Sequence, residues 1–380
     1  QGRRRQKKSS MSTPKVSILL PNLNNRPYLE ERLLTIAEQT FSDWELIIVD
    51  NYSDDGAYEY FQSQAKKDSR IKLSQVPRAG MYANWNNCIR LAKGEYVYIA
   101  TSDDTMTPDF LQVMVEALDR YPECALAHCK LKIIDEKGDN SPDLDWDRFY
   151  CTAYFGDKID QKHIRFAPHD GLLHCAVGTV YTSITQLLIR RSIFDKIGLF
   201  LTDYGSTADF EWDMRASLIA DTIHIPRYLA TWRVHRDQGT DQDFLESPEH
   251  HTQLLEMIDH AFNTAKKLKP GLLKGINLKE LKYFYTKKKF RSEFKERPGR
   301  FGRFNVILKW LFINPGILLE CFRSVKLHKK PFISNLEPMG SGRKILTKYG
   351  FENNINIIQN STQKTSPPDG RAKQGGISEK

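Results

Sequence analysis

The chain has 380 residues, of which 40% are hydrophobic, 11% aromatic and 27% charged. That balance is enough for two or three compact units with a sizeable core, and it excludes collagen-like, wholly disordered and disulfide-stapled miniprotein chains. The formal net charge of +9 is unevenly placed: nineteen Lys and Arg against four acids fall between Lys266 and Lys330, so a basic module is joined to a mildly acidic body.

Residues 1–13 open with QGRRRQKKSS, basic but with no apolar run behind it, and read as a disordered arm rather than a signal peptide. Val16–Leu20 is then a strand. Pro27–Gln39 is a helix with Leu29, Leu33 and Ile36 on one face and Pro27 in its first turn. Glu45–Asp50 is the second strand, Ala57–Lys67 a helix and Ile71–Gln75 the third strand. Met81–Ala92 is a helix ended by Gly94, Tyr96–Ala100 the fourth strand, and Thr107–Arg120 a helix capped by Thr107 or Asp109. This alternation predicts an α/β fold, a mainly parallel sheet with helices on both faces, whose ligands sit at the carboxyl ends of strands. Pro21–Arg26, Asp50–Gly56 and Thr101–Thr105 are therefore the segments to search.

The middle, from Ala125 to His235, is less regular, with a loop-rich stretch at Asp139–Thr179. From about Glu249 the chain is helical and basic, and from Ile358 it is low-complexity. The apolar run Phe304–Phe322 is not a membrane span. Its charges Lys309 and Glu320 are roughly 16 Å apart on a helix, against a hydrocarbon core of about 30 Å, and Asn314-Pro315-Gly316 breaks it. Six cysteines (Cys88, Cys124, Cys129, Cys151, Cys175, Cys321) form no Cys-x-x-Cys pair and read as reduced, mostly buried thiols of a cytosolic protein.

There is no Gly-x-Gly-x-x-Gly after the first strand and no Walker loop, so a phosphate ligand needs another counter-charge, such as a divalent metal held by carboxylates. The fourth strand runs into Thr101-Ser102-Asp103-Asp104. Neighbouring residues there point to opposite faces, which makes the two acids a poor acid/base pair but lets one of them hold Mg²⁺ or Mn²⁺ beside diphosphate oxygens. A plain loop cap is the competing reading. Asp50 can accept hydrogen bonds from a base or ribose, while Asp54, Asp55 and Gly56 make a turn and the next helix cap. Asp209, Glu211 and Asp213 fall at i, i+2 and i+4, with the first and last on one helical face; a solvated acidic face competes. Trp212 and Trp232 stack on sugars or belong to the core. His128, His163, His169 and His174 show no ligand spacing and read as surface or core residues, and Arg190-Arg191 as a surface pair. The basic module has no nucleic-acid motif. Its mixture of Lys and Arg with Trp310, Leu311, Phe312, Ile317 and Leu318 fits an anionic membrane surface, or else a solvated face packed on the body.

Four stretches, Val16–Gly56, Ala79–Leu111, Ile184–Phe200 and Thr207–His235, resemble in this order the glycosyltransferase family 2 enzymes, which have the GT-A fold. The resemblance spans Pro14 to His235. It implies an inverting transferase that moves a sugar from a UDP- or dTDP-linked donor to a hydroxyl of a glycan or lipid-linked acceptor. Mg²⁺ or Mn²⁺ is the implied cofactor, and the implied setting is the cytosolic face of a membrane where surface polysaccharide is made. The implied organisation is a nucleotide-sugar-binding half over 14–124, an acceptor-binding half over 125–248, the basic helical module over 249–357 and a disordered tail over 358–380. Carried over residue by residue, Pro21, Asn22 and Asn24 line the nucleoside, and Asp50 contacts the base. Arg78, Gly80 and Asn84 lie in the segment that closes over the donor. Thr101-Ser102-Asp103 falls on the Asp-x-Asp motif, Ser102 against the donor and Asp103 as metal ligand. Asp209 is the general base, and His235, with Arg236 beside it, is a basic position near the diphosphate and a further metal ligand. Two departures stand out: Thr101 replaces the first acid of Asp-x-Asp, and Ala208 replaces the acid that usually precedes the base. Two other functions compete. A sugar-phosphate nucleotidyltransferase needs a Gly-rich loop after the first strand, which Pro21–Arg26 lacks. A catalytically inactive GT-A-like binding protein draws support from Thr101.

Overall fold

Runs of β-branched and aromatic residues between polar turns form β1 (Val16–Asn22), β2 (Trp44–Asp50), β3 (Ile71–Gln75) and β4 (Tyr96–Ile99). The computed structural model describes residues 13–141, 146, 154–235, 242–297, 299–320 and 336–358. Nearly all of the basic arm and of the tail, with Cys151, Cys321 and Arg236, lie outside the described residues. Helices α1 (Leu29–Ala37), α2 (Ala57–Ala65), α3 (Met81–Leu91) and α4 (Phe110–Arg120) alternate with the strands. Pro27 sits not in α1 but in a 3-10 turn before it, where its fixed φ and missing N–H do no harm. Asp109 stands at the start of α4 without capping it, because its carboxylate accepts from Thr107 Oγ1 at 2.9 Å and Arg227 Nη2 at 2.7 Å.

The chain adds β5 (Cys124–Ile134), β6 (His163–Arg165), β7 (Leu187–Arg190), β8 (Asp221–Arg233) and β9 (Ile355–Ile357). One sheet results, in the order β3-β2-β1-β4-β7-β5-β8-β6-β9. Pairing is parallel through β3-β2-β1-β4, as expected, and again between β5 and β8. It is antiparallel where β7 joins β4 to β5 and at the β8-β6-β9 edge. Strands β1, β2 and β4 are buried along their whole length, which requires cover on both faces of the sheet.

Beyond β5 come α5 (His169–Ala176), α6 (Ser192–Ile197), α7 (Ala208–Ile219) and α8 (Pro248–Leu268), then α9 (Tyr283–Glu296), α10 (Arg300–Ile313) and α11 (Leu336–Tyr349). Helices α5 and α7 meet backbone to backbone at Gly171, where a Cβ would stand 2.5 Å from the Leu218 nitrogen. Helix α7 is consequently buried almost all round, and the acidic stretch it carries is not a solvated face. Glu211 is buried and takes the Arg215 Nε and Nη2 atoms at 2.7 Å each, so the charge is paired inside the protein. Trp212 is a core residue stacked on Phe194. Arg190 and Arg191 are not a free surface pair either: Arg190 donates to the Leu118 carbonyl at 3.0 Å and Arg191 to that of Gly94 at 2.8 Å, tying loop ends to the sheet. Cys88, Cys124, Cys129 and Cys175 are free and buried. No helix among the described residues is long and apolar enough to cross a membrane.

The unassigned histidines gather beneath the second half of the sheet. Arg165 donates to Asp170 at 2.7 Å, and around this buried ion pair lie His128, His163, His169 and His224, with His128 and His224 3.0 Å apart. His174 is buried between Tyr181 and Phe210, and neither ring nitrogen has a hydrogen-bond partner among the described residues. Burial, against the Asp170 charge and with the smaller help of Arg165, pushes His174 down to about 3 from the ordinary 6.5. Between those values the unfolded chain binds a proton that the folded chain refuses, so His174 removes stability as pH falls through 6.5 and adds no pH dependence above it. His174→Phe should therefore flatten the acid limb of stability by about 1.4 kcal/mol per pH unit over that window. Urea unfolding at pH 7.5, 5.5 and 4.5 checks this, with the variant's advantage growing as pH falls.

Candidate active site

β1 sends the chain to β2 on one side, while β4 returns on the other, so the strand order reverses between β1 and β4. At the carboxyl ends of such neighbours the connecting loops part and leave a crevice. A cleft of about 320 Å³ opens there, walled by Pro21, Asn22 and Leu23 at the end of β1, Asn51 after β2, Arg78, Gly80, Met81, Asn84 and Trp85 around the start of α3, Thr101 to Asp103 after β4, and His235 after β8. Of the expected residues, Pro21, Asn22, Arg78, Gly80, Asn84, Ser102, Asp103 and His235 share this cleft; Asn24, Asp50 and Asp209 do not line it.

Asp50 lies under the floor. Its carboxylate accepts from Asn22 Nδ2 at 2.9 Å, Ser53 N at 2.9 Å, Ser53 Oγ at 2.6 Å and Gln75 Nε2 at 3.2 Å. Burial opposes its charge, yet these hydrogen bonds together hold it below the ordinary carboxylate range. One consequence is that the Asn22 amide is oriented: its nitrogen is spent on Asp50 and Ser53, and Oδ1 is left buried with no partner among the described residues. Asn84 repeats the pattern, donating to the Val49 carbonyl at 2.9 Å while its own Oδ1 has no partner among the described residues. Two buried acceptors in a cleft wall call for a ligand with hydrogen-bond donors. Asn24, at φ 54°, serves the neighbouring loop instead through a reciprocal pair with Asp54.

Gly80 precedes α3 at φ 93°, ψ 160°, a conformation that a side chain would strain although a Cβ would meet nothing there. Arg78 donates to the Asn51 carbonyl at 3.1 Å and the Tyr52 carbonyl at 2.8 Å, bracing the loop after β2 across the cleft mouth.

Asp103 and Asp104 point apart as expected, although β4 ends at Ile99 and both lie in the loop beyond it, so their contacts rather than strand alternation separate them. Asp103 faces the cleft, its Oδ2 standing 3.1 Å from His235 Nε2. Asp104 turns inward, accepting from the Arg233 backbone N–H at 2.7 Å and from the Thr101 hydroxyl, so Thr101, which stands where the resemblance expects an acid, holds its neighbour instead. Burial first, then the Asp103 charge, pushes Asp104 up to about 7, against those hydrogen bonds and the buried Arg32 guanidinium. Arg233 completes the assembly. Its Nε donates to the Asp103 carbonyl at 2.7 Å, Nη2 to Glu31 at 2.6 Å and Nη1 to the carbonyls of Asp135 and Glu136 at 3.2 Å. Asn25, outside the expected set, fixes Ser102 by donating to its Oγ at 2.7 Å.

One carboxylate and one imidazole at the cleft wall offer two donors to a divalent cation. No cluster of three or more His, Cys, Asp or Glu suited to a metal occurs among the described residues. A cation held there would need its other ligands from water and from phosphate oxygens, the usual arrangement for Mg²⁺ on a phosphorylated substrate.

Asp209 begins α7 behind α3. Its Oδ1 accepts from Tyr82 Oη at 2.9 Å and from Phe210 N at 2.8 Å. Burial raises its pKa, against both hydrogen bonds.

Residues 17–198 match the model of glycosyl transferase family 2. The uncharacterized glycosyltransferase EpsJ of Bacillus subtilis is 31% identical over 245 residues, covering 63% of this chain and 67% of EpsJ. The chain belongs to glycosyltransferase family 2. A Campylobacter jejuni enzyme named GalNAc(5)-diNAcBac-PP-undecaprenol beta-1,3-glucosyltransferase is 30% identical over 133 residues, covering 34% of this chain and 42% of that enzyme. The chain thus spans less than half the length of that relative. Among solved structures, TarS 1-349 of S. aureus in complex with UDP-GlcNAc has a TM-score of 0.58 at 15% identity, covering 88% of this chain and 91% of that one. The fold is GT-A, and the protein is a glycosyltransferase. A nucleotidyltransferase is excluded by the family.

Within this glycosyltransferase, Glu31 and Arg233 carry no motif of their own, and only the structure brings them together. Arg233→Ala should lower the unfolding free energy by about 3 kcal/mol by leaving the buried carbonyls of Asp103, Asp135 and Glu136 without their donor. Urea denaturation reads this directly.

Proposed function

We propose that this enzyme transfers a sugar from a nucleotide diphosphate donor, UDP- or dTDP-linked, to a hydroxyl of a glycan or lipid-linked acceptor in building cell-surface polysaccharide, with inversion at the anomeric carbon. The observation that carries the reading is the meeting of Asp103 and His235 on one wall of the cleft with the unpartnered acceptors of Asn22 and Asn84 on another. An anion-neutralising end and a donor-seeking end suit a nucleoside diphosphate, whose base N–H and ribose hydroxyls donate and whose phosphates need counter-charge. The UDP-GlcNAc bound by TarS and the PP-undecaprenol in the name of the Campylobacter enzyme support a nucleotide-sugar donor and a lipid-linked acceptor. A lipid-linked acceptor puts the work at the cytosolic face of a membrane, in reach of the basic segment 266–330.

In this mechanism Asn22, oriented by Asp50, and Asn84 receive the nucleoside, while Pro21 and Gly80 let the chain approach it closely. Arg78 and Ser102 border the phosphates. Asp103 and His235 would hold Mg²⁺ or Mn²⁺. The dication, when bound, supplies Lewis-acid neutralisation of the charge that builds on the diphosphate. Asp209 is the base: it accepts the acceptor hydroxyl's proton as that oxygen bonds to the anomeric carbon, and the carbon–phosphate oxygen bond breaks with its electron pair leaving on the diphosphate. Attack from the face opposite the leaving group inverts the centre. The raised pKa of Asp209 suits this role, since a stronger base takes the proton better.

Asp103→Asn and Asp209→Asn should each reduce donor turnover by about 100-fold or more with melting temperature retained, in a Mn²⁺-supplemented assay of nucleotide release. Equal turnover by all three proteins contradicts the proposal. Tyr82→Phe removes a hydrogen bond that stabilises the Asp209 carboxylate, so its pKa rises further. The acid limb of kcat/KM should then move to higher pH while the plateau above it is kept, as a pH–rate profile will show.

A further inference from the structure

Helix α10 (Arg300–Ile313) has two apolar faces, and the fold uses only one. Val306 and Trp310 face inward, packed with Phe290, Ile317 and Leu318 in a small core of their own. The Trp310 indole N–H is spent inward as well, donating to Glu293 at 2.8 Å. On the opposite side Phe301, Phe304, Leu308, Leu311 and Phe312 face solvent, Phe301 at 88% and Phe312 at 90% exposure. At about 100° per residue these five fall within one arc of roughly 100°, the width of an amphipathic stripe, facing away from the buried pair. The apolar residues that the sequence offers for membrane contact are thus redistributed: Trp310, Ile317 and Leu318 build a core, while Phe301 and Phe304 come forward.

A contiguous exposed stripe of this size marks a contact surface. Its borders name the partner. Arg300 borders the stripe on one side and Lys309 lies beyond its other edge, paired with Glu293 at 2.9 Å, while Arg303 turns over the Phe294 ring of α9; the segment 266–330 as a whole holds nineteen basic residues against four acids. A second copy docked through this face would bring two such segments together and be repelled. An anionic bilayer satisfies both halves of the surface, with phenyl rings below the headgroups and guanidinium groups among the phosphates. Fourteen residues make about 21 Å of helix, enough to lie along the interface and too short to cross it.

We propose that the outward face of α10 docks the enzyme flat on a membrane bearing anionic lipid. This deepens the reading of a membrane-side acceptor and rests on it only for its purpose, since the docking itself needs no sugar chemistry. The test is cosedimentation of the full chain with phosphatidylcholine vesicles, with and without phosphatidylglycerol. The wild type should partition onto the anionic vesicles, and Phe301→Ser/Phe312→Ser should lose about tenfold or more of that partitioning at an unchanged melting temperature. Arg300→Glu should weaken the preference for phosphatidylglycerol at an unchanged melting temperature. The proposal is overturned if wild type stays in solution with both vesicles, or if the phenylalanine variant sediments equally. A wild-type dimer that becomes monomeric in that variant, by light scattering, would assign the face to a second copy and overturn it too. Nucleotide release without vesicles should be equal in these variants and wild type, which keeps a failure of docking distinguishable from a failure of the transferase reading.

Discussion

The buried guanidinium of Arg233 sets the geometry of the cleft. It stands at the end of β8 and reaches the Asp103 carbonyl after β4, Glu31 on α1 and two carbonyls after β5, while its own backbone N–H goes to Asp104. A cation taken out of water is tolerated only when its donors find partners, and each partner here belongs to a different element. Satisfying Arg233 therefore fixes four chain segments against one another. The by-product is that Asp103, whose carbonyl is held, has its side chain free to face the cleft beside His235. Asp104 shares the buried negative role, and part of what pushes it up to about 7 is the Asp103 charge next door. A cation held at Asp103, as proposed, would relieve that repulsion, so its binding and the clamp would favour each other.

The second half of the protein positions Asp209, the proposed base, by a different route. Helix α7 carries Asp209 in its first turn, where backbone N–H groups favour a carboxylate. The rest of the helix is wedged against α5 through Gly171 and carries the internal Glu211–Arg215 pair. Asp209 is thus mounted on a rigid element while its carboxylate is adjusted by Tyr82 from α3, a helix that also lines the cleft. Beneath lies the network of histidines around Arg165 and Asp170, a buried polar core in which burial and the Arg165 charge hold His128, His163 and His224 below the ordinary imidazole range.

Strands β1 to β4 were legible because they repeat a strong local signal, apolar runs closed by polar loops at strand ends, and the cleft segments Pro21–Arg26 and Thr101–Thr105 follow from that rule alone, while the choice of Pro21, Asn22, Ser102 and Asp103 within them rests on the family resemblance. His235 and Asp209 needed the family resemblance, since nothing in their local sequence distinguishes them from surface or core residues. The acidic run at Asp209–Asp213 misled for a physical reason: periodicity records which residues share a face, but not that Glu211 meets Arg215 inside the protein. The Glu31–Arg233 contact is between residues far apart in the chain and leaves no pattern to read. On α10 the alternation of basic and apolar residues announced an amphipathic helix, yet which apolar residues face outward depends on where α9 packs.

Titration calorimetry of UDP against wild type and Asp103→Asn, each with and without Mn²⁺, tests the central claim that Asp103 and its held loop pair a cation with the diphosphate. Mn²⁺ should tighten UDP binding to the wild type about tenfold or more and leave the variant's affinity unchanged. If Mn²⁺ alters neither protein's affinity, or both equally, Asp103 does not hold the cation.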